Sequence, residues 1–267
     1  MFEQIHYEVG ISQQWLARQY QSFRSDDYFF KERYVPRHDI SIIFHFNDAP
    51  VIINDEMMEL PPVFATPIVV KSFIMALRGN MDSFVVVCKP TVFSRILGID
   101  LSVQRNTTIQ LPSAFQVLWH DLSILDTAEQ RIRCLSDYID SLLQTPYQPD
   151  IIDLFYDKIV NSSNRLLLKD IKKDFPASHR TLERNFIKRT GISPKTLMRI
   201  VRIEYLWSKI QNEHAIDYQD MVFDGNYFDQ AHFINDFKSI VGEAPNFFFN
   251  RNLYLLKLLS GRIEGQI

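Results

Sequence analysis

One thirteen-residue pattern occurs twice in the last hundred residues of this chain. Residues 182–194 read LERNFIKRTGISP, and residues 233–245 read FINDFKSIVGEAP. Each copy begins with an apolar residue, has Phe four positions later, Gly five positions after the Phe and Pro three positions after the Gly. An internal repeat predicts two similar structural units, because both copies carry the same folding pattern.

The repeated element is predicted to be a helix with defined ends. Apolar residues at i and i+4 form one buried stripe. The same offset pairs Ser178 with Asp229 upstream, and both residue types are favoured as N-caps. The Gly suits a left-handed residue at the helix end, and the Pro suits the first turn of a following helix. Each copy therefore predicts a capped helix of about eleven to thirteen residues.

A shorter helical pattern and a tight turn precede each predicted helix. Residues 166–175 (LLLKDIKKDF) precede the first copy, and residues 218–225 (YQDMVFDG) precede the second. Helix, turn and helix in tandem resemble the DNA-binding domain of the AraC/XylS family of transcriptional regulators, over roughly residues 160–250. The segments SHRTLERNFIKRTGISPKTLMRIVRIEY and GNYFDQAHFINDFKSIVGEAPNFFF are similar to that family's first unit with its linker helix and to its C-terminal signature.

The resemblance implies that the outer faces of the two capped helices contact DNA. Arg in such a helix can bind guanine through two hydrogen bonds, whereas Gln and Asn can pair with adenine. Glu183 is predicted either to accept from cytosine or only to orient Arg180 and Arg184, and without the family resemblance this face would simply be solvated. The predicted DNA-contacting residues are His179, Arg180, Glu183, Arg184, Lys188, Gln230, Ala231, His232 and Asn235.

The two predicted recognition helices differ in charge. The first has four basic residues, among them Arg189, against one acidic residue. The second has Asp229 and Asp236 against Lys238, and the family often has a basic residue where Asn235 stands. The first helix is therefore expected to contribute more to specific binding, since arginine combines charge with two-pronged hydrogen bonding.

Two local features of this region complete the prediction. Asn226 occupies a turn position where the family usually has Gly, and Asn tolerates the positive φ that such a turn requires. A predicted linker helix over about residues 194–211 spans roughly 25 Å. Such a helix can hold the two recognition helices in successive major grooves about 34 Å apart, so that one chain reads two half-sites without dimerising.

Charge is distributed unevenly along the chain. Residues 1–150 have 12 Lys and Arg against 18 Asp and Glu, whereas residues 160–251 have 14 against 11. A basic segment joined to an acidic one fits a nucleic-acid module attached to a domain with another role. The 267 residues, 46% hydrophobic, support a globular fold.

The N-terminal part is predicted to be rich in strands. Short β-branched and aromatic runs lie between residues 18 and 89, and turn residues separate them. The order of these strands resembles the cupin-like N-terminal domain of many AraC-type regulators. The expected fold class is α+β: a β-rich cupin-like barrel with appended helices, then an all-α domain with two helix-turn-helix units. The predicted strands are Ile40–Phe46, Val51–Ile53, Ile68–Leu77 and Ser83–Cys88, with a hairpin turn at residues 78–80 between the last two.

Helical patterns follow the strands. Predicted helices cover residues 91–97, 113–125, 127–143 and 150–160, and Asp126 with Glu129 has the spacing of a capping box for the third of these. Two prolines within residues 145–149 mark a break. We therefore divide the chain into a sensor or association domain, residues 1–149, and a DNA-binding domain, residues 150–267.

The sequence has few signs of catalysis or metal binding. His38 and His45 have opposite parity on a predicted strand, and no His-x-His, HExxH, GxSxG or Gly-rich phosphate motif occurs. We predict no enzyme activity, no metal and no cofactor. Cys88 and Cys134 stand in apolar surroundings without CxxC spacing, which predicts reduced thiols.

These features together predict a cytoplasmic, sequence-specific DNA-binding regulator. The N-terminus has acidic residues and no long apolar run, which predicts neither a signal peptide nor a membrane span. The expected partners are double-stranded DNA, a small-molecule effector and a second copy in a homodimer, with no membrane. The alternatives are a cupin-type enzyme or metal-binding domain fused to a DNA-tethering module, and a ligand-independent architectural DNA-binding protein.

Overall fold

The computed structural model of the chain describes residues 1–53, 57–104, 108–162, 167–210 and 217–267. The strands are β1 (Phe2–Tyr7), β2 (Ala17–Tyr34), β3 (Ile40–His45), β4 (Val51–Ile53), β5 (Met57–Glu59), β6 (Val63–Ala65), β7 (Phe73–Cys88) and β8 (Gly265–Gln266). The helices are α1 (Pro90–Leu97), α2 (Ala114–Ser123), α3 (Ala128–Ser141), α4 (Ile151–Val160), α5 (Leu168–Lys173), α6 (His179–Thr190), α7 (Pro194–Ile210), α8 (Tyr218–Asp224), α9 (Gln230–Val241), α10 (Pro245–Phe249) and α11 (Tyr254–Leu259). A β-rich N-terminal domain with appended helices, followed by C-terminal helices, is thus confirmed, and the short strand β8 is the one departure from an all-α C-terminal region among the described residues.

Strand β7 is the centre of the antiparallel sheet. It pairs with β2 along one edge and with β3 and β4 along the other. Its side chains alternate between two buried layers, as a pleated strand requires. Phe84 and Val86 pack beneath the appended helices, whereas Val85 and Val87 face a cavity enclosed by the strands.

The predicted hairpin turn at residues 78–80 is wrong. Strand β7 continues through this stretch, paired opposite β2, and the register shifts between Ser25 and Tyr28. Asp27 and Gly79 have positive φ angles, of 41° and 137°. The turn-forming residues therefore accommodate a β-bulge, which needs the same backbone freedom as a hairpin but leaves the strand unbroken.

The appended helices follow the prediction except at one cap. Helix α1 ends at Gly98, whose φ is 67°, as expected. Helix α3 begins one residue later than Asp126 would place it. Thr127 accepts a hydrogen bond from the Gln130 amide at 3.3 Å, and the Gln130 side chain accepts one from the Thr127 amide at 3.1 Å. Thr127 with Gln130 therefore forms the capping box, rather than Asp126 with Glu129.

The main hydrophobic core continues across the predicted domain boundary. It joins Phe84 of the sheet, Phe155 of α4 and Phe186 of α6, and the Phe155 and Phe186 rings are 5.3 Å apart. A separate core, around Trp207 and Phe237, holds the last helices together. The first helical unit is therefore packed with the N-terminal domain, and the division at residue 149 stays a prediction.

The chain returns to the N-terminal sheet after its last long helix. Strand β8 pairs antiparallel with β1, with Gln266 opposite Glu3. Leu258 and Leu259 of α11 are buried in the same cluster as Phe23. The segment from α11 to β8, which we call the C-terminal return, covers an edge and one opening of the sheet. None of the described helices is long and apolar enough to cross a membrane.

Candidate nucleic-acid interface and effector cavity

The first helix-turn-helix unit consists of α5 and α6. The Ser178 hydroxyl accepts a hydrogen bond from the Thr181 amide at 3.2 Å, and Gly191 ends the helix with a φ of 78°. Leu182 and Phe186 are buried, so the opposite face of α6 points outward. The predicted cap, stripe and stop are confirmed.

The second unit consists of α8 and α9 and repeats this arrangement. Asp229 accepts a hydrogen bond from the His232 amide at 2.7 Å, and Gly242 has a φ of 86°. Phe233 and Phe237 are buried. Asn226 has a φ of 50°, which confirms the predicted positive-φ turn.

The φ angle of Asn226 leads to a stability prediction. Asn226→Gly is expected to be neutral or slightly stabilising, because Gly adopts this conformation freely. Asn226→Val is expected to lower the free energy of unfolding by about 1–2 kcal/mol, since a β-branched residue is strained at positive φ. Urea unfolding of the two variants measures the difference, and equal midpoints would contradict the turn geometry.

Most of the predicted DNA-contacting residues lie on exposed surfaces. The exposed ones are His179, Arg180, Arg184, Lys188, Gln230, Ala231, His232 and Asn235. Glu183 is half-buried, and its carboxylate lies 3.4 Å from the Lys172 ammonium of α5. The outer face of α6 also forms one side of an open cleft, whose other side contains Asp100 and Ser102 of the N-terminal domain. The outer face of α6 is therefore bordered by one carboxylate of the N-terminal domain, that of Asp100.

Arg189 is not on the outer face of α6, contrary to the expectation from sequence. Its guanidinium donates to Asp150 and Asp153 at 2.9 Å each and to the Thr91 carbonyl at 2.5 Å. Arg189 therefore fastens α6 to α4 and to the start of α1. Its partners are distant in sequence, which is why helical spacing alone did not place it.

Asp236 does not face the DNA either. Its carboxylate accepts hydrogen bonds from Arg199 of α7 at 2.6 Å and from the Tyr227 hydroxyl at 2.8 Å. The side chain is buried, so Asp236 is not one of the acidic groups on the outer face of α9. Asp236 instead fixes the orientation of α9 on the linker helix.

Helix α7 joins the two units and also contacts the N-terminal domain through Glu204, whose side chain is 17% exposed. Glu204 lies 2.5 Å from His38 Nδ1, 3.8 Å from Arg262 and 4.0 Å from Arg37. Burial disfavours its charge, but His38 and both arginines outweigh burial and lower the pKa of Glu204. The sequence signal for this contact is a carboxylate within the mainly apolar stretch IVRIEYLW, but its partners are distant in sequence.

A cavity of about 110 Å³ lies inside the N-terminal domain. Its walls are mainly apolar side chains from β2, β3, β4, β6 and β7, and Leu259 and Ser260 of the C-terminal return complete them. Arg37 also lines the cavity and donates to the carbonyls of Ser260 and Gly261 at 2.9 and 3.0 Å. The cavity is thus bounded in part by residues that follow the second helix-turn-helix unit.

His38 and His45, the two histidines considered above as metal ligands, have different surroundings. His38 belongs to the Glu204 contact, where burial would lower its pKa but Glu204 and Asp39 raise it. His45 is buried against Ser83, and burial lowers its pKa to about 4. Within the described ranges, no three His, Cys, Asp or Glu side chains are placed to hold a metal ion. Cys88 and Cys134 are not bonded in a disulfide.

The lowered pKa of His45 predicts a loss of stability in mild acid. The unfolded chain binds a proton at this residue below about pH 6.5, whereas the folded protein binds one only near pH 4. Stability should therefore fall as the pH decreases between these values. From pH 7 to pH 5, wild type is expected to lose about 2 kcal/mol more than His45→Phe. Urea unfolding at both pH values measures this, and parallel losses would contradict it.

Comparison with known proteins agrees with this architecture. Residues 173–251 match the helix-turn-helix domain family. The C-terminal region of this chain is a helix-turn-helix domain of the AraC type. The chain is accordingly a DNA-binding transcription regulator. No curated protein matches it.

Solved structures of ToxT from Vibrio cholerae are similar to this chain at low identity. One has a TM-score of 0.45 and 15% identity, and the match covers 93% of this chain and 97% of ToxT. ToxT bound to (E)-4-(8-methylnaphthalen-1-yl)but-3-enoic acid has a TM-score of 0.46 and 12% identity, over 93% and 98%. ToxT bound to an unsaturated fatty acid has a TM-score of 0.43 and 10% identity, over 93% and 94%. These ligands are those of ToxT.

Proposed function

We propose that both helix-turn-helix units bind one operator and that a small molecule in the N-terminal cavity controls this binding. The exposed residues of α6 and α9 named above would contact phosphates and base edges. The N-terminal domain would act as a sensor rather than as an enzyme. A regulator of this kind works in the cytoplasm, where the chromosome of a bacterium lies.

The observation that supports control by the cavity is the position of the C-terminal return. Leu259 and Ser260 belong to the cavity wall, and they follow the second helix-turn-helix unit in the chain, with α10 between them and α9. Helix α7 is joined to the same domain through Glu204 and His38. A ligand that moved this wall would act on both units, because it would favour one arrangement of the linked helices over another.

The DNA-binding part of the proposal predicts a steep dependence on salt. Binding of the full-length chain to duplex DNA should weaken by about 10³- to 10⁵-fold between 50 and 200 mM salt if six to ten phosphates are neutralised. Fluorescence anisotropy with a duplex recovered by selection from random sequence measures this slope. Lys188→Ala should make the slope shallower by about one unit if Lys188 binds phosphate.

A matched control uses Lys31, a basic residue of β2 far in sequence from either unit. Lys31→Ala should leave the salt slope unchanged. A flat salt response of the wild type, or equal changes in the two variants, would contradict the assignment of α6. Binding of small molecules is tested in a separate experiment with metabolite fractions. The melting temperature of the protein and its affinity for the selected duplex are measured in the presence of each fraction.

A further inference from the structure

The apolar cavity contains one polar pair whose hydrogen bonding is incomplete. His45 of β3 and Ser83 of β7 lie opposite each other in the sheet, and both border the cavity. His45 Nδ1 lies 2.6 Å from the Ser83 hydroxyl. The ring is 5% exposed, and its other nitrogen, Nε2, has no hydrogen-bond partner among the described residues.

A buried ring nitrogen without a partner is unfavourable, because it has lost water and gained nothing in return. Ligand cavities commonly combine apolar walls with a few polar groups that fix the orientation of the ligand. The mainly apolar walls of the cavity and the second, satisfied nitrogen of His45 match this pattern. The free nitrogen is therefore a candidate for contact with a ligand.

The charge around the cavity restricts what that ligand can be. Burial lowers the pKa of His45 to about 4, so the ring is neutral at physiological pH. Arg37 already donates to two carbonyls of the C-terminal return, and Asp39 and Glu204 lie 3.8 and 4.0 Å from its guanidinium. A carboxylate entering the cavity would meet no uncommitted positive charge, and burying an unpaired charge is costly.

The hydroxyl group is the partner that fits best. The Ser83 hydroxyl can donate to Nδ1 or accept from it, so Nε2 can be either a donor or an acceptor. A ligand hydroxyl can serve in both roles, whereas a simple hydrocarbon can serve in neither. A dry engineered cavity of about 150 Å³ holds one benzene ring, so a volume of about 110 Å³ suits a ligand with a single small ring or a short chain.

We propose that this cavity binds an uncharged, largely apolar molecule with one hydroxyl group, which hydrogen-bonds to His45 Nε2. The inference rests on the proposed role of the cavity as the effector site and adds the chemical class of the effector. His45 would make the cavity prefer hydroxylated over unsubstituted ligands. The apolar walls would make it prefer uncharged over charged ligands.

Three probes of matched shape test the proposal on the full-length chain at pH 7.5. They are phenol, benzene and benzoate, and isothermal titration calorimetry measures the binding of each. We expect phenol to bind at least about tenfold more tightly than benzene, and benzoate to bind more weakly than both. The Nε2 resonance of His45 in ¹⁵N spectra should shift with phenol and not with benzene.

The variant His45→Phe removes the hydrogen bond and keeps a ring at the site. It should lose the preference for phenol while it still binds benzene, which shows that the cavity is intact. His120→Phe, at an exposed position of α2, is the matched control and should behave like the wild type. A preference for phenol that survives in His45→Phe overturns the proposal, as does tighter binding of benzoate or binding of no probe.

The same probes separate this inference from the regulatory role of the cavity. Binding of phenol that depends on His45 but leaves affinity for the selected duplex unchanged supports the ligand class and contradicts the control of DNA binding. Binding of benzoate that alters affinity for the duplex supports the control and overturns the ligand class.

Discussion

Replacing Glu204 with Ala is expected to lower the free energy of unfolding by about 3–5 kcal/mol. The carboxylate accepts a hydrogen bond from the His38 amide at 3.3 Å and lies within 4.0 Å of Arg37 and Arg262. Its loss leaves Arg262 without the carboxylate that it faces and Arg37 with Asp39 alone. The desolvation of the two charges is then offset less well. Urea unfolding at pH 7 measures the effect.

The control for this variant is Glu8→Ala, at an exposed position of the N-terminal domain. It should change the stability by no more than about 0.5 kcal/mol. If the two variants unfold at the same urea concentration, the charges around Glu204 are solvated and the contact does not hold α7 against the sheet.

The pH dependence of the same contact follows from His38. Its pKa is raised in the folded protein, so the stability from its charged form is complete below the unfolded pKa of about 6.5. That stability is lost as the pH rises through the folded pKa. In Glu204→Gln this pH-dependent loss of stability should be smaller, because the variant lacks the carboxylate that stabilises the charged imidazolium of His38.

Arg184→Ala is expected to weaken specific DNA binding by about 1–3 kcal/mol, which is roughly 5- to 150-fold, and to weaken it more than Asn235→Ala does. Arg184 is exposed on α6 and can offer two hydrogen bonds and a charge together. Asn235 on α9 can offer hydrogen bonds without a charge. Arg180→Ala should resemble Arg184→Ala if that residue enters the groove.

The measurement titrates each variant against the selected duplex and a scrambled duplex at one fixed salt concentration. Loss of a base contact should lower affinity for the selected duplex more than for the scrambled one. If Arg184→Ala lowers both affinities equally, α6 only positions the protein on the phosphates. If Asn235→Ala is the more damaging change, the reading helix is α9.

In the structure, Arg184→Ala is still expected to be more damaging than Asn235→Ala, but the charges that support this expectation differ from those counted in the sequence. The sequence placed Arg189 with the basic residues of the outer face and Asp236 with the acidic ones. Arg189 is bound to Asp150 and Asp153, and Asp236 to Arg199. The contrast in charge between the outer faces is therefore smaller than composition indicates, and it rests mainly on Arg180, Arg184 and Lys188.

Features with local causes could be predicted from sequence, and features with distant partners could not. Ser178, Asp229 and Asn226 act on backbone groups within a few residues, so residue type and spacing were enough to place them. The partners of Arg189 come from another helix. The turn chemistry at Gly79 fits a bulge as well as a hairpin, and only the pairing of β2 along all of β7 decides between them.

The cavity could not be predicted from the sequence for the same reason. His45 is one residue of a predicted strand, and its parity shows which face it occupies but not what fills that face. Ser83 is nearly forty positions away, and Leu259 comes from the opposite end of the chain. The domain-level resemblance indicated a sensor, whereas the identity of the polar group in its interior depends on three-dimensional packing.

The pairing of β8 with β1 has a consequence for synthesis of the protein. The outer edge of β1 lacks its partner until residues roughly 260 positions later have left the ribosome. At about 5–20 residues per second, this delay is on the order of ten to fifty seconds. During that time the outer edge of β1 has unpaired backbone N–H and C=O groups. Phe2 is not yet packed in one cluster with Leu258 and Leu259. The nascent N-terminal domain would thus present an open strand edge, a state in which chains pair with one another and in which chaperones bind.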